Sequence, residues 1–203
     1  DGGARLSDQQ TVEPGKGGRI SFQTHKLELT DANGLSQTFY PELQLKGNFS
    51  AYSLNQGGEL TVKQDTDNFI IGKPDSDDIQ EHRFVLPVVD NNLQLQGIKG
   101  FSQINLENSG IDLTLKKSTV LDLRQQNYLL TSNYQQFASG DSLNAVSTIQ
   151  TLPDYLRKPV NLKLSANNNL VLETGSKIMA DPLADINLEL DGINGSIFLD
   201  GLV

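Results

Sequence analysis

A chain of 203 residues suffices for one sizeable domain or for a run of smaller repeated units. With 16 basic against 25 acidic residues the formal net charge is −9, which disfavours nucleic-acid backbones and anionic membrane surfaces as partners, since both require clustered Lys and Arg. The absence of cysteine excludes disulfide staples, thiol catalysis and zinc–thiolate sites, and no apolar run reaches the roughly 18 residues of a membrane span. Leucine dominates the apolar content, with 30 Leu against one Met, five Tyr and no Trp, as expected where one core slot recurs.

Taken in chain order, the apolar residues alternate with polar ones in short sets. Ile20/Phe22, Leu27/Leu29 and Leu43/Leu45 come first, with the turn formers Asp31-Ala32-Asn33-Gly34 between Leu29 and Leu43 and Asn55-Gln56-Gly57-Gly58 after Leu45. A period of two places each set on one face of a strand. Residues 73–92 are acidic, hold Pro74 and Pro87, and break the rhythm until Leu93/Leu95. Ile111/Leu113/Leu115 and Leu121/Leu123 follow the turn Asn108-Ser109-Gly110. A second break, residues 124–158, is rich in Gln, Asn, Ser and Tyr. Then come Val160/Leu162/Leu164, Leu170/Leu172 and Ile186/Leu188/Leu190, with Asn167-Asn168-Asn169 and Asp191 to Gly195 between or after them. Asn33-Gly34 and Asn194-Gly195 suit either a tight corner or a two-residue hairpin. Helical spacing is nearly absent; Tyr155 to Pro159 holds one turn at most.

Val160-Asn161-Leu162-Lys163-Leu164 recurs as Ile186-Asn187-Leu188-Glu189-Leu190, 26 positions later. Phe49 to Leu54 recurs as Phe101 to Leu106 at 52, and Glu59 to Lys63 as Asp112 to Lys116 at 53. A step near 26 carrying about three short strands fits one turn of a parallel β-solenoid, each turn stacking on the last. At that step the chain makes roughly eight turns, a rod about 40 Å long at about 4.8 Å per turn. An antiparallel sandwich accounts for the short strands and Gly turns but not for a pattern at multiples of 26. The expectation is therefore an all-β, single segment over residues 1–203, with loop excursions at 73–92 and 124–158.

No residue stands out as catalytic, cofactor-binding or metal-ligating. His25, placed on an outward phase of the strand from Ile20 to Leu29, and His82 are 57 positions apart and read as surface residues. Asp65/Asp67 and Asp75/Asp77/Asp78 read as solvated acidic turns, because Asp65-Thr66-Asp67-Asn68 lacks the Gly and distal Glu of a calcium loop. The sequons Asn48-Phe49-Ser50 and Asn194-Gly195-Ser196 are tripeptides expected by chance in an Asn-rich chain. The candidate contact residues are the aromatics of the second excursion, Tyr128, Tyr134, Phe137 and Tyr155, in a composition suited to adaptable recognition.

Three pieces of sequence resemble the large exoproteins of the filamentous haemagglutinin type, which are exported by two-partner secretion. These are Gly47-Asn48-Phe49-Ser50-Ala51-Tyr52-Ser53-Leu54 with Gly57-Gly58-Glu59-Leu60-Thr61-Val62; Leu152 to Pro159 entering Val160 to Leu164; and Asn169 to Ile178 with Gly195 to Gly201. No Asn-Pro occurs, so the resemblance is to the shaft and not to the secretion domain. It implies a right-handed parallel β-helix, an outer-membrane transporter as partner during export, a location outside the cell or on its surface, and a non-enzymatic role in adhesion to a glycan or surface receptor. Relatives of this kind also deliver toxins by contact or act as cytolysins. A carbohydrate-active β-helix enzyme is the alternative from another class. The first residue, Asp1, and the patterned end from Ile197 to Val203 read as cuts in a longer chain.

Overall fold

The computed structural model describes residues 4–6, 12–39, 49–51, 56–72, 84–86, 98–124, 126–130, 147–151 and 158–201. Among them are twenty strands and no helix. In chain order the first seven are β1 (Ala4–Leu6), β2 (Val12–Pro14), β3 (Arg19–Gln23), β4 (Leu27–Thr30), β5 (Ser36–Phe39), β6 (Phe49–Ser50) and β7 (Gly58–Gln64). Then come β8 (Asn68–Ile71), β9 (Phe84–Leu86), β10 (Ile98–Lys99), β11 (Phe101–Asn108), β12 (Asp112–Leu115), β13 (Val120–Asp122) and β14 (Gln126–Leu130). The last six are β15 (Ser147–Thr151), β16 (Asn161–Ala166), β17 (Asn169–Leu172), β18 (Lys177–Met179), β19 (Ile186–Leu190) and β20 (Ser196–Leu199).

Two parallel sheets of five strands carry the fold. The first has the order β3-β7-β11-β16-β19 and the second β9-β8-β12-β17-β20. Each first-sheet strand from β7 onward is followed, after two to five residues, by a second-sheet strand. β12 and β17 lead on to β13 and β18, which pair with each other in parallel. Strands laid down in the same order at each pass, each in parallel register with its predecessor, are consistent with a β-solenoid. β1–β2, β4–β5 and β14–β15 are antiparallel pairs.

The alternation of apolar and polar residues explains why these segments stack. Ile20, Leu60, Ile104, Leu162 and Ile186 lie opposite one another in the first sheet, and so do Phe22, Val62, Leu106, Leu164 and Leu188. The second sheet aligns Phe69, Leu113, Leu170 and Ile197, and again Ile71, Leu115, Leu172 and Leu199. With Leu121 and Ile178 of the third pairing, the middle members of these columns form one buried core. Each fully buried side chain contributes about 1.5–3 kcal/mol of transfer free energy. Ile20, Phe22, Ile186 and Leu188, on the outermost strands of the first sheet, are only partly buried.

The spacing departs from a uniform 26. Arg19 pairs with Glu59, Glu59 with Gln103, Gln103 with Asn161 and Leu162 with Ile186, intervals of 40, 44, 58 and 24 residues. In the second sheet Asn169 pairs with Ser196, an interval of 27. Only this last pass keeps the short step, so the main sheets have five strands where a uniform step predicts about eight turns. The repeat at 53 joined strands of different sheets, since β7 belongs to the first and Asp112 to Leu115 to the second. The repeat at 52 fails likewise, because Phe49 pairs with Ile98 while Phe101 pairs with Gly58. A period of two cannot fix register to better than two residues, because a slip of two leaves every side chain on its own face. The two Asn-Gly sites also part company. Asn33-Gly34 turns the β4–β5 hairpin, with Gly34 at φ +80°, whereas Asn194-Gly195 lies in a corner between two sheets.

Candidate functional site

The outward face of the first sheet carries a ladder of six charged residues, Arg19, Glu59, Lys63, Glu107, Lys163 and Glu189. Lys63 lies opposite Glu107, and Lys163 sits diagonally between Glu107 and Glu189 on the flanking strands. The Lys63 Nζ to Glu107 Oε2 distance is 3.4 Å, Lys163 Nζ to Glu107 Oε1 3.9 Å, and Lys163 Nζ to Glu189 Oε2 2.9 Å. Arg19 pairs with Glu59 at 2.6 Å on the outermost strand pair. Asn105 Nδ2 donates to Glu59 Oε1 at 3.3 Å and to Thr61 Oγ1 at 3.2 Å. Strands about 4.8 Å apart bring alternating charges within reach, and opposite charges so placed are stabilising. The hydrogen bond with Glu189 raises the Lys163 pKa above its ordinary value, against the opposing effect of burial. The same bond holds the Glu189 carboxyl below the usual range.

Two corners tie each pass to the next. At the first, between the main sheets, Asn108 is 1% exposed. Its Oδ1 accepts from Thr66 N at 3.2 Å and Gly110 N at 3.1 Å, while its Nδ2 donates to Thr66 O at 2.9 Å and to Asp112 O. One pass later Asn167 Nδ2 donates to Gly110 O, and Asp112 Oδ1 accepts from Asn168 Nδ2 and Asn169 N. A Cβ on Gly110 would meet Thr66 O at 2.0 Å, so this close approach admits only glycine. At the second corner the buried Lys116 reaches Glu173 Oε1 at 2.7 Å, and Glu173 Oε2 accepts from Lys117 N at 2.8 Å.

This arrangement ties stacked strands together through paired charges on one face and amide hydrogen bonds at the corners. The chain matches no family model, no curated protein and no solved structure. Of the sequence-derived contact residues, Tyr134, Phe137 and Tyr155 lie outside the described residues. Tyr128 falls on β14, where its backbone pairs with Ile149. His82, Asp75, Asp77, Asp78 and Asn48 also lie outside the described residues. His25 is exposed, in the turn between β3 and β4 and not within a strand, because β3 ends at Gln23. Asp65 accepts from Lys26 N at 3.3 Å in the corresponding turn of the next pass. Among the described residues no three His, Cys, Asp or Glu are grouped to hold a metal ion, and no helix is long and apolar enough to cross a membrane.

Sequence reasoning missed both Asn108 and the charge ladder. Asn108-Ser109-Gly110 signalled a turn but not a buried amide. Lys63, Glu107, Lys163 and Glu189 become neighbours only once the intervals between passes are known.

Proposed function

We propose that the chain is a segment of right-handed parallel β-helix serving as the shaft of a secreted bacterial surface adhesin of the filamentous haemagglutinin type. The observation that carries this reading is the run of apolar columns through two five-stranded parallel sheets, with polar side chains of the first sheet alternating outward. Parallel β connections are right-handed in about 98% of cases, which supports the hand. Such a stack lengthens by adding passes without changing its cross-section, the property a spacer between cell and target needs. In this reading an outer-membrane transporter handles the chain during export, and a glycan or surface receptor meets loops or a distal tip. Immunogold labelling tests it. Antibodies against the 203-residue chain should label intact cells that make the parent protein, at a fixed distance from the envelope. Labelling only after permeabilisation would refute the reading.

A second reading, a carbohydrate-active β-helix, draws on the meeting of carboxylates and bases along the first sheet. Glycoside cleavage needs one carboxyl held protonated near neutrality. The lowered pKa of Glu189 runs the other way. Turnover of a polysaccharide that is lost in Glu107→Gln would revive it.

A further inference from the structure

We propose that the edge of β8 turned away from β12 is an acceptor slot for which two segments of this chain compete, β9 and β4. Every other strand of the second sheet beyond β9 follows directly on a first-sheet strand. β3 is the exception: its successor β4 turns back with β5, and the place beside β8 is held by β9, from more than fifty residues downstream.

The spacing of β4 fits the slot. Three residues separate β3 from β4, as three separate β7 from β8 and β11 from β12. The chain also follows its neighbour past the end of β3. Thr24 N donates to Lys63 O at 3.0 Å, Thr24 Oγ1 to Gln64 Oε1 at 2.8 Å, and Lys26 N to Asp65 Oδ2 at 3.3 Å. Continued onward, the 40-residue register of β3 on β7 sets Leu29 opposite Phe69, Thr30 opposite Ile70 and Asp31 opposite Ile71. Phe84, Val85 and Leu86 hold those three positions instead. Leu27 and Leu29, in phase for the slot, are left 55% and 51% exposed on the hairpin.

Asp31 accounts for the choice. Phe69 and Ile71 are both core residues, so the slot wants apolar residues at both places opposite them. β9 brings Phe and Leu, whereas β4 brings Leu and a carboxylate, and even partial desolvation of an unpaired carboxylate against that apolar edge is unfavourable. In the hairpin Asp31 Oδ1 instead accepts from Asn33 N at 2.8 Å and Leu35 N at 2.9 Å. The apolar face of β4 is thus the displaced core face of the first pass. Exchange would return it to the sheet and release β9. This inference rests on register alone and stands whether or not the chain is a shaft.

A chain without cysteine allows a direct competition assay. In the triple variant Thr30→Cys/Ile70→Cys/Val85→Cys, residue 70 forms a disulfide with whichever strand lies beside it. Paired parallel strands are about 4.8 Å apart, within disulfide reach. Peptide mapping after slow oxidation should find the 70–85 bond dominant and the 30–70 bond as about a tenth of the product or less. Adding Asp31→Leu should raise the ratio of 30–70 to 70–85 at least about tenfold. If that variant does not fold, Leu86→Pro, which removes a backbone donor from β9 alone, should raise the same ratio. No 30–70 bond in any background, or a ratio unmoved by either substitution, overturns the proposal.

Discussion

Asn108 uses its full amide capacity inside the protein, two hydrogen bonds accepted at Oδ1 and two donated from Nδ2. Asn108→Ala removes four hydrogen bonds from this corner, among them those accepted from Thr66 N and Gly110 N, while Thr66 O keeps its bond from Ile111 N, and each bond so lost costs about 1 kcal/mol. The expected net loss is about 2–4 kcal/mol by urea unfolding. Asn167→Ala, which removes one exposed bond, should cost about 1 kcal/mol or less. Equal losses in the two variants would deny the buried corner its role. Glu189 and Lys163 make a prediction in pH. The Glu189 carboxyl is held below its ordinary 4.5, so its contribution is present above that value and is lost as pH falls through the lower folded value. Lys163 is raised above its ordinary 10.5, so its contribution is present below that value and disappears as pH rises through the folded value. Glu189→Gln should therefore lower the melting temperature across the window between 4.5 and 10.5, and converge with the unaltered chain at more acidic pH. A constant difference down to strong acid would place the effect in packing and not in charge.

A strand of this stack is legible from its alternation: β3, β12, β16, β17 and β19 all fall on sets of alternating apolar residues. Register was not legible, because leucine opposite leucine looks the same at every even slip. The repeat of Val160 to Leu164 on Ile186 to Leu190 placed Val160 over Ile186, whereas Leu162 lies there. The polar ladder was hidden for the same reason. Lys63 meets Glu107 and Glu107 meets Lys163 only because passes of 44 and 58 residues, set by what lies between the strands, bring them together. Position within the sheet also grades the cost of cutting the core. Leu164, between β11 and β19, is fully buried, whereas Leu188 on the outermost strand is half-buried. Leu164→Ala should cost about 3–4 kcal/mol and Leu188→Ala about 1–2 kcal/mol, read as the shift in urea midpoint at constant slope. The reverse order would mean that the stack's end, and not its middle, is the tighter packing.

At the scale of the whole molecule the question is which parts the stack needs. β14 and β15 pair antiparallel with each other, from Gln126 with Thr151 to Leu130 with Ser147. The pairing of Gln126 with Thr151 brings their Cα atoms within about 4.5–5.5 Å, so a two-residue link can replace everything between them. The interval from β11 to β16, 58 residues, would then shrink towards the 24 of the last pass. Closure entropy changes slowly with loop length, so shortening this connection should not by itself destabilise the fold. Replacement of residues 127–150 by such a link is therefore expected to leave β-type circular dichroism and a cooperative melt at a temperature close to that of the full chain. The deletion also removes Tyr128, Tyr134 and Phe137 and spares Tyr155. If the aromatic contact reading is right, any glycan binding by the full chain, measured on an array, should disappear while the melt persists. Loss of the melt would mean that the hairpin covers part of the core. Binding retained by a folded deletion would move recognition to the first sheet's outward face, where Arg19, Asn105 and Lys163 stand among the paired carboxylates.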